Sequence, residues 1–190
     1  MKKTIVQLLL LFSFFTVLSQ EKETISILNN TKNWKTEIIN FPIDWAPNLK
    51  LTGFEELLFM PNWSNPKSDE FWSLVIGWKV SAANPLSLKE IEYHFKSYFD
   101  GLMKPNHWAT NFPEPEVQFK KNSEEKFVGE MKFFDGFYTG KIISVHILGE
   151  QIFCKNSEKT IVIFRFSPQN TGHEIWKTLN EIRQNEELCN

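Results

Sequence analysis

The chain has 190 residues, and its 21 Lys and Arg nearly balance its 23 Asp and Glu. These charges are dispersed, so the chain lacks the basic patch by which proteins bind nucleic acid or anionic membranes. The length suits a single domain. The 18 Phe, 7 Trp and 3 Tyr residues can bury enough apolar area to form a core without the help of a metal.

Residues Met1–Ser19 have the order of a secretory signal peptide. Lys2 and Lys3 precede an apolar run over 5–18, and a strongly polar stretch follows Ser19. We expect cleavage after Ser19, export to the periplasm or the extracellular medium, and no integral membrane segment in the mature chain. The alternative is an uncleaved anchor, but a membrane span needs about 20 apolar residues and this run is shorter.

The mature chain is expected to comprise a polar lead over 20–33 and one domain over 34–190. Apolar alternation and continuous apolar runs between turn signals predict seven strands in that domain. They cover 34–41, 54–60, 71–80, 117–121, 127–134, 142–154 and 160–166. The 71–80 segment is almost continuously apolar, which predicts a central strand covered on both faces. The turn after 127–134 falls at Asp135-Gly136 or at Thr139-Gly140, and we favour the latter.

Two helices are predicted from their start signals. Ser87 and Glu90 form a capping box before an apolar stripe of helical period, which predicts a helix over 87–103. Thr171 and Glu174 repeat this pattern before a C-terminal helix. The predicted fold class is therefore α+β, with a single antiparallel sheet of about six to seven strands and two main helices packed on it.

The only two cysteines, Cys154 and Cys189, are expected to form a disulfide, because an oxidising compartment favours pairing of an even count. The chain-entropy model gives a loop of this length about 4 kcal/mol of stabilisation. Two free thiols are the alternative. A metal site is disfavoured because the cysteines lack the close spacing that zinc ligands show.

No sequence motif indicates catalysis, a metal or a cofactor. We expect the protein to bind no metal and no cofactor. The four histidines lack metal-ligand spacing, and nucleophile elbows and glycine-rich phosphate loops are absent. Glu55 and Glu56 are neighbours on a predicted strand, so they point to opposite faces and cannot act as one pair. A hydrolase with carboxylate or histidine groups dispersed over separate elements stays an alternative.

The best candidates for ligand binding are Trp63 and Trp108 with its neighbour His107, on loops rich in Asn and Pro. Aromatic rings on polar loops suit stacking on a glycan or on an apolar group of a peptide. The alternative is that each ring folds inward and caps a loop cluster. Arg165 and His173 flank the turn before the last helix, where they form either a small polar site or a salt bridge or helix-end contact.

Short motifs spread over most of the mature chain carry a resemblance. They are Trp45-Ala46-Pro47, Gly53-Phe54-Glu55-Glu56, Pro61-Asn62-Trp63, Glu70-Phe71-Trp72-Ser73, Tyr98-Phe99-Asp100-Gly101-Leu102-Met103, and Phe164-Arg165-Phe166-Ser167-Pro168 followed by His173 and Trp176. With them the chain resembles an uncharacterised family of exported bacterial proteins, which implies no particular activity. The order of elements resembles, more distantly, the Mog1/PsbP-like α+β sandwich, a fold used mainly by binding and assembly factors. These observations favour a non-enzymatic binding or accessory module over the hydrolase.

Overall fold

A computed structural model describes residues 26–104, 112–123 and 125–189. The predicted signal peptide and the candidates His107 and Trp108 therefore lie outside the described residues. Within the described ranges, no helix has the length and apolar character needed to cross a bilayer.

The described chain contains nine strands and two helices. They are β1 (Leu28–Asn29), β2 (Lys35–Phe41), β3 (Gly53–Phe59), β4 (Leu74–Ser81), α1 (Leu88–Met103), β5 (Glu116–Lys121), β6 (Lys126–Asp135), β7 (Lys141–Cys154), β8 (Lys159–Ser167), α2 (Ile175–Glu181) and β9 (Arg183–Gln184). Strands β2 to β8 form one antiparallel sheet in the order β2-β3-β4-β8-β7-β6-β5, and β1 pairs separately with β9. The predicted α+β class is confirmed, with the sheet dominating the fold.

Strand β4 lies inside the sheet and is buried on both faces, as its apolar sequence predicts. Ile76 and Trp78 belong to the core on the α1 side, whereas Val75 belongs to the core on the α2 side. The strand begins at Leu74 and not at 71. The three residues before it form a turn in which Trp72 has a φ of 48°, and its N–H donates to the Trp63 carbonyl at 2.8 Å.

Helix α1 covers the face of the sheet that carries the larger core. It begins as predicted, with the Ser87 and Glu90 side chains accepting hydrogen bonds from each other's backbone N–H. Near its C-terminal end it approaches the loop after β2 very closely. A Cβ added to Gly101 would lie 2.3 Å from the Trp45 carbonyl oxygen, so only glycine fits there.

Helix α2 packs on the opposite face, and its predicted capping box is wrong. The helix starts at Ile175 with Glu174 as N-cap, and no side chain caps it there. Instead, His173 Nδ1 accepts a hydrogen bond from the Ile175 N–H at 3.2 Å. Thr171 is left in the preceding loop, because the chain already turns between Asn170 and His173.

Residues 26–33, which were predicted to belong to a polar lead before the domain, pack on the α2 side of the sheet. Ile27 and Leu28 are fully buried. Their backbone N–H groups donate to Glu56 Oε2 at 2.6 and 3.1 Å, and Ser26 Oγ also donates to this carboxylate. Two apolar residues in a polar segment are too few to produce a periodic signal, so this packing was not predicted. We call residues 26–33 the strap.

The disulfide between Cys154 and Cys189 is confirmed, with their Cα atoms 5.1 Å apart. Cys154 ends β7, and Cys189 follows β9 near the C-terminus. The bond therefore ties the segment after α2 to the main sheet, next to the strap.

The hairpin turn between β6 and β7 includes both positions that the sequence suggested for it. It begins at Asp135 and ends at Gly140. The Asp135 carboxylate accepts hydrogen bonds from the backbone N–H groups of Phe137, Tyr138 and Thr139. Gly140 closes the turn with a φ of 62°, in the left-handed region that favours glycine. This turn holds Phe137 and Tyr138 against the loop between β3 and β4.

Candidate ligand-binding cavity

A cavity of about 100 Å³ lies between α1 and the part of the sheet formed by β2, β3 and β4. Its walls are almost entirely apolar. They consist of Glu37, Ile39, Leu57, Phe59, Trp63, Trp72, Leu74, Ile76, Tyr98, Phe99, Leu102, Phe137 and Phe166. Glu37 is the only carboxylate and Tyr98 the only hydroxyl in this set, so polar contact with a bound molecule is confined to a few atoms.

Trp63 lies in an aromatic cluster where two loops meet. Its ring centroid is 4.5 Å from that of Phe59 and 5.5 Å from those of Trp72 and Tyr138. The ring is partly buried. Trp63 thus caps a loop cluster and also forms part of the cavity wall, so the two interpretations of this residue are compatible.

Trp72 carries two features that oppose folding. A positive φ is a costly conformation for a bulky side chain. Its indole Nε1 is also buried without a hydrogen-bond partner among the described residues. Such costs are concentrated at sites where function requires them, and Trp72 lines the cavity.

Glu55 is a fully buried carboxyl group beside the polar end of the cavity. The strand register places it opposite Ile39 on β2 and Trp78 on β4, with Glu37 diagonal to it on the same face. Trp78 Nε1 donates to Oε2 at 3.0 Å, while Oε1 has no partner of good hydrogen-bond geometry among the described residues. The Tyr98 side chain also interacts with this carboxyl group.

Burial raises the pKa of Glu55 to about 7, while interactions with Tyr98 and Trp78 offset part of the rise and the nearby Glu37 carboxylate adds to it. Burial, together with Glu55, raises the pKa of Tyr98 well above its ordinary value. Tyr98 therefore stays protonated at physiological pH. It stands in the cavity wall, whereas Glu55 is not among the wall residues.

The burial of Glu55 and Glu56 was not predicted, although the sequence contains a pattern that indicates it. The residues stand in Gly53-Phe54-Glu55-Glu56-Leu57-Leu58-Phe59, where apolar residues on both faces indicate a covered strand. Two charged residues in a covered strand must both be buried. The twofold period of the strand then sends Glu55 to the α1 side and Glu56 to the strap.

Arg165 and His173 do not form a common site. Arg165 lies at the C-terminal end of α2, where Nε and Nη2 donate to the carbonyls of Leu179 and Ile182 at 3.2 and 2.7 Å. Its Nη1 is also 2.8 Å from Glu150 Oε1. His173 lies at the other end of α2 and borders an open groove with Asp69 and Glu70. Arg165 is thus a structural residue that joins β8, β7 and α2.

The described residues contain no group of three or more His, Cys, Asp or Glu side chains arranged to hold a metal ion. Comparisons with protein-family models, curated proteins and solved structures give no match to this chain.

Proposed function

We propose that the mature protein is an exported, non-enzymatic binding module that holds a small apolar group of its ligand in the cavity beside Trp63 and Trp72. The observation that carries this proposal is an almost entirely apolar cavity whose wall contains the Trp72 indole Nε1, a buried donor without a partner among the described residues. An enclosed cavity of about 150 Å³ is known to take up benzene. The present cavity, of about 100 Å³, suits a short alkyl group or the edge of one ring.

The composition of the wall favours an apolar side chain or similar group over a glycan. Sugar hydroxyls need several hydrogen-bond partners when they are buried. Only Glu37 and Tyr98 provide charged or hydroxyl groups here. Of the glycan and peptide ligands predicted from the loop tryptophans, the peptide class fits this cavity better.

Export is supported by the disulfide, because such bonds persist in oxidising compartments. The proposal includes removal of the predicted signal peptide after Ser19. Intact-mass measurement of the exported protein tests this part directly. A product that still contains Met1–Ser19 would contradict it.

A hydrolase stays the second candidate, because a carboxyl group with a pKa of about 7 suits general acid–base catalysis. A general base must come within hydrogen-bond reach of the substrate. Glu55 stands outside the cavity wall, which favours binding over catalysis. Ester or peptide hydrolysis by the wild type that Glu55→Gln abolishes would support the hydrolase instead.

The binding proposal is tested by NMR titration of the wild type with 1-butanol and with benzene. We expect saturable shifts of the indole N–H signals of Trp63 and Trp72. Leu102→Trp should abolish these shifts, because the larger side chain fills the cavity. Leu148→Trp is the matched control, since Leu148 is a partly buried residue in the other core. Its shifts should equal those of the wild type.

Two results would contradict the proposal. One is the absence of saturable shifts in the wild type. The other is an unchanged response in folded Leu102→Trp, which would place the binding outside the cavity. Retention of a dispersed spectrum shows that each variant is folded.

A further inference from the structure

We propose that the ligand is an organic cation, an ammonium group attached to a small apolar body, with the apolar body in the cavity and the ammonium beside Glu37. This inference rests on the binding function proposed above and specifies the chemistry of its ligand. The juxtaposition that carries it is an exposed carboxylate, that of Glu37, at one end of a cavity walled by aromatic rings.

The two carboxyl groups near this end of the cavity have no ion-pair partner in the part of the chain that the structure describes. Among the described residues, neither Glu37 nor Glu55 forms a salt bridge with Lys, Arg or His. The two lie diagonally on adjacent strands and on the same face of the sheet. Glu37 is exposed enough to meet a ligand directly, whereas Glu55 is fully buried and interacts with Trp78 and Tyr98. An incoming ammonium supplies positive charge and hydrogen-bond donors to the Glu37 carboxylate.

The aromatic walls favour the same class of ligand. Phe59, Trp63, Trp72 and Phe137 all line the cavity, and the faces of aromatic rings attract ammonium groups. The protein shows this attraction itself. Lys35 holds its Nζ over the Phe59 ring, 5.8 Å from the centroid.

Other ligand charges fit less well. A carboxylate would meet Glu37 at short range and be repelled. A neutral apolar molecule would fill the cavity but would bring neither a positive charge nor a hydrogen-bond donor to the Glu37 carboxylate. Lys35 is the one cation that the described structure places on a lining ring. It therefore competes with an ammonium ligand for this ring and lowers the affinity of the cavity for that ligand.

The test is calorimetric titration of the full mature protein at pH 8 with three probes of equal size, butylammonium, 1-butanol and butyrate. We expect butylammonium to bind about two- to fivefold more tightly than 1-butanol, the size of effect that a partly exposed charge contact gives, and butyrate to bind most weakly. Glu37→Gln should remove the preference for butylammonium and leave 1-butanol binding unchanged. Lys35→Gln should strengthen butylammonium binding. Glu186→Gln, an exposed charge-matched control, should change neither probe.

The outcomes separate this inference from the binding function. If 1-butanol binds as tightly as butylammonium, or if the preference survives in Glu37→Gln, the cation proposal is overturned and the apolar cavity remains a binding site. If none of the three probes binds, the binding function and the cation proposal both fail. A butylammonium preference lost equally in Glu37→Gln and Glu186→Gln would reflect overall charge and would also overturn the cation proposal.

Discussion

Replacing Glu55 by Gln should stabilise the protein at alkaline pH and have little effect at acidic pH. Gln has nearly the same shape and retains an oxygen that accepts the hydrogen bond from Trp78 Nε1. It cannot ionise, so it mimics the protonated carboxyl at every pH. The comparison between the wild type and this variant therefore isolates the ionisation of one buried group.

The magnitude follows from the pKa of Glu55, which is about 7 in the folded protein against an ordinary value of 4.5. The folded state binds this proton more tightly than the unfolded state. The contribution of Glu55 to stability is therefore complete below pH 4.5 and is lost as the pH rises through about 7. At about 1.4 kcal/mol per pH unit, the loss reaches about 3 kcal/mol at pH 8. Because Glu55 is fully buried, solvent does not screen this cost.

The assay is urea unfolding of the wild type and Glu55→Gln between pH 4.5 and pH 8. The free energy of unfolding of Glu55→Gln should match the wild type near pH 4.5 and exceed it by about 3 kcal/mol at pH 8, or roughly 6–12 °C in melting temperature. Effects of other titrating groups cancel in the difference. A difference that does not depend on pH, or a less stable variant at pH 8, would contradict the raised pKa of Glu55.

The neighbouring residue provides a matched control of opposite sign. Glu56 accepts hydrogen bonds from two backbone N–H groups and from Ser26. Charge-assisted hydrogen bonds of this kind weaken when the carboxylate becomes an amide. Glu56→Gln should therefore lower the free energy of unfolding by about 1–2 kcal/mol at pH 8.

Three further variants test contacts that stabilise the fold on the two faces of the sheet. Arg165→Met should cost about 3 kcal/mol in urea unfolding, because it leaves Glu150 and the end of α2 without their donor; an unchanged midpoint would show that these contacts contribute nothing. Cys189→Ala should lower stability by about 2–4 kcal/mol, and thiol titration of the denatured wild type should find no free cysteine, whereas two free thiols would disprove the bond. Gly101→Ala should reduce the melting temperature, because the clash with the Trp45 carbonyl costs about 1–3 kcal/mol and outweighs the gain of about 1 kcal/mol in helix propensity; a more stable variant would contradict the close approach.

The sequence predicted the seven strands, the long helix and the disulfide, because each has a local signal. The apolar run that contains β4 and the capping box at Ser87 are examples. The capping pattern at Thr171 failed, since a loop with its own turn placed the helix start further along. The strap at Ile27 and Leu28 was missed because its burial depends on Glu56, which is distant in sequence.

The candidate site was predicted only through Trp63. A linear pattern identifies a tryptophan on a loop, but it does not show that the β6–β7 turn brings Tyr138 against that ring. The burial of Glu55 was also missed, although apolar residues on both faces of its strand indicated it; its partners Trp78 and Tyr98 come from another strand and from a helix, so no local pattern identifies them. Sites built across elements in this way depend on the sheet register, which the sequence does not display.

The most direct test of the account is a crystal structure of the mature protein with butylammonium. The account predicts ligand density in the cavity between α1 and β3, with its apolar chain among Trp63, Trp72 and Phe137 and its nitrogen within hydrogen-bond distance of the Glu37 carboxylate. Density for the ligand elsewhere, with this cavity closed by its own side chains, would contradict the central claim that the cavity is the binding site.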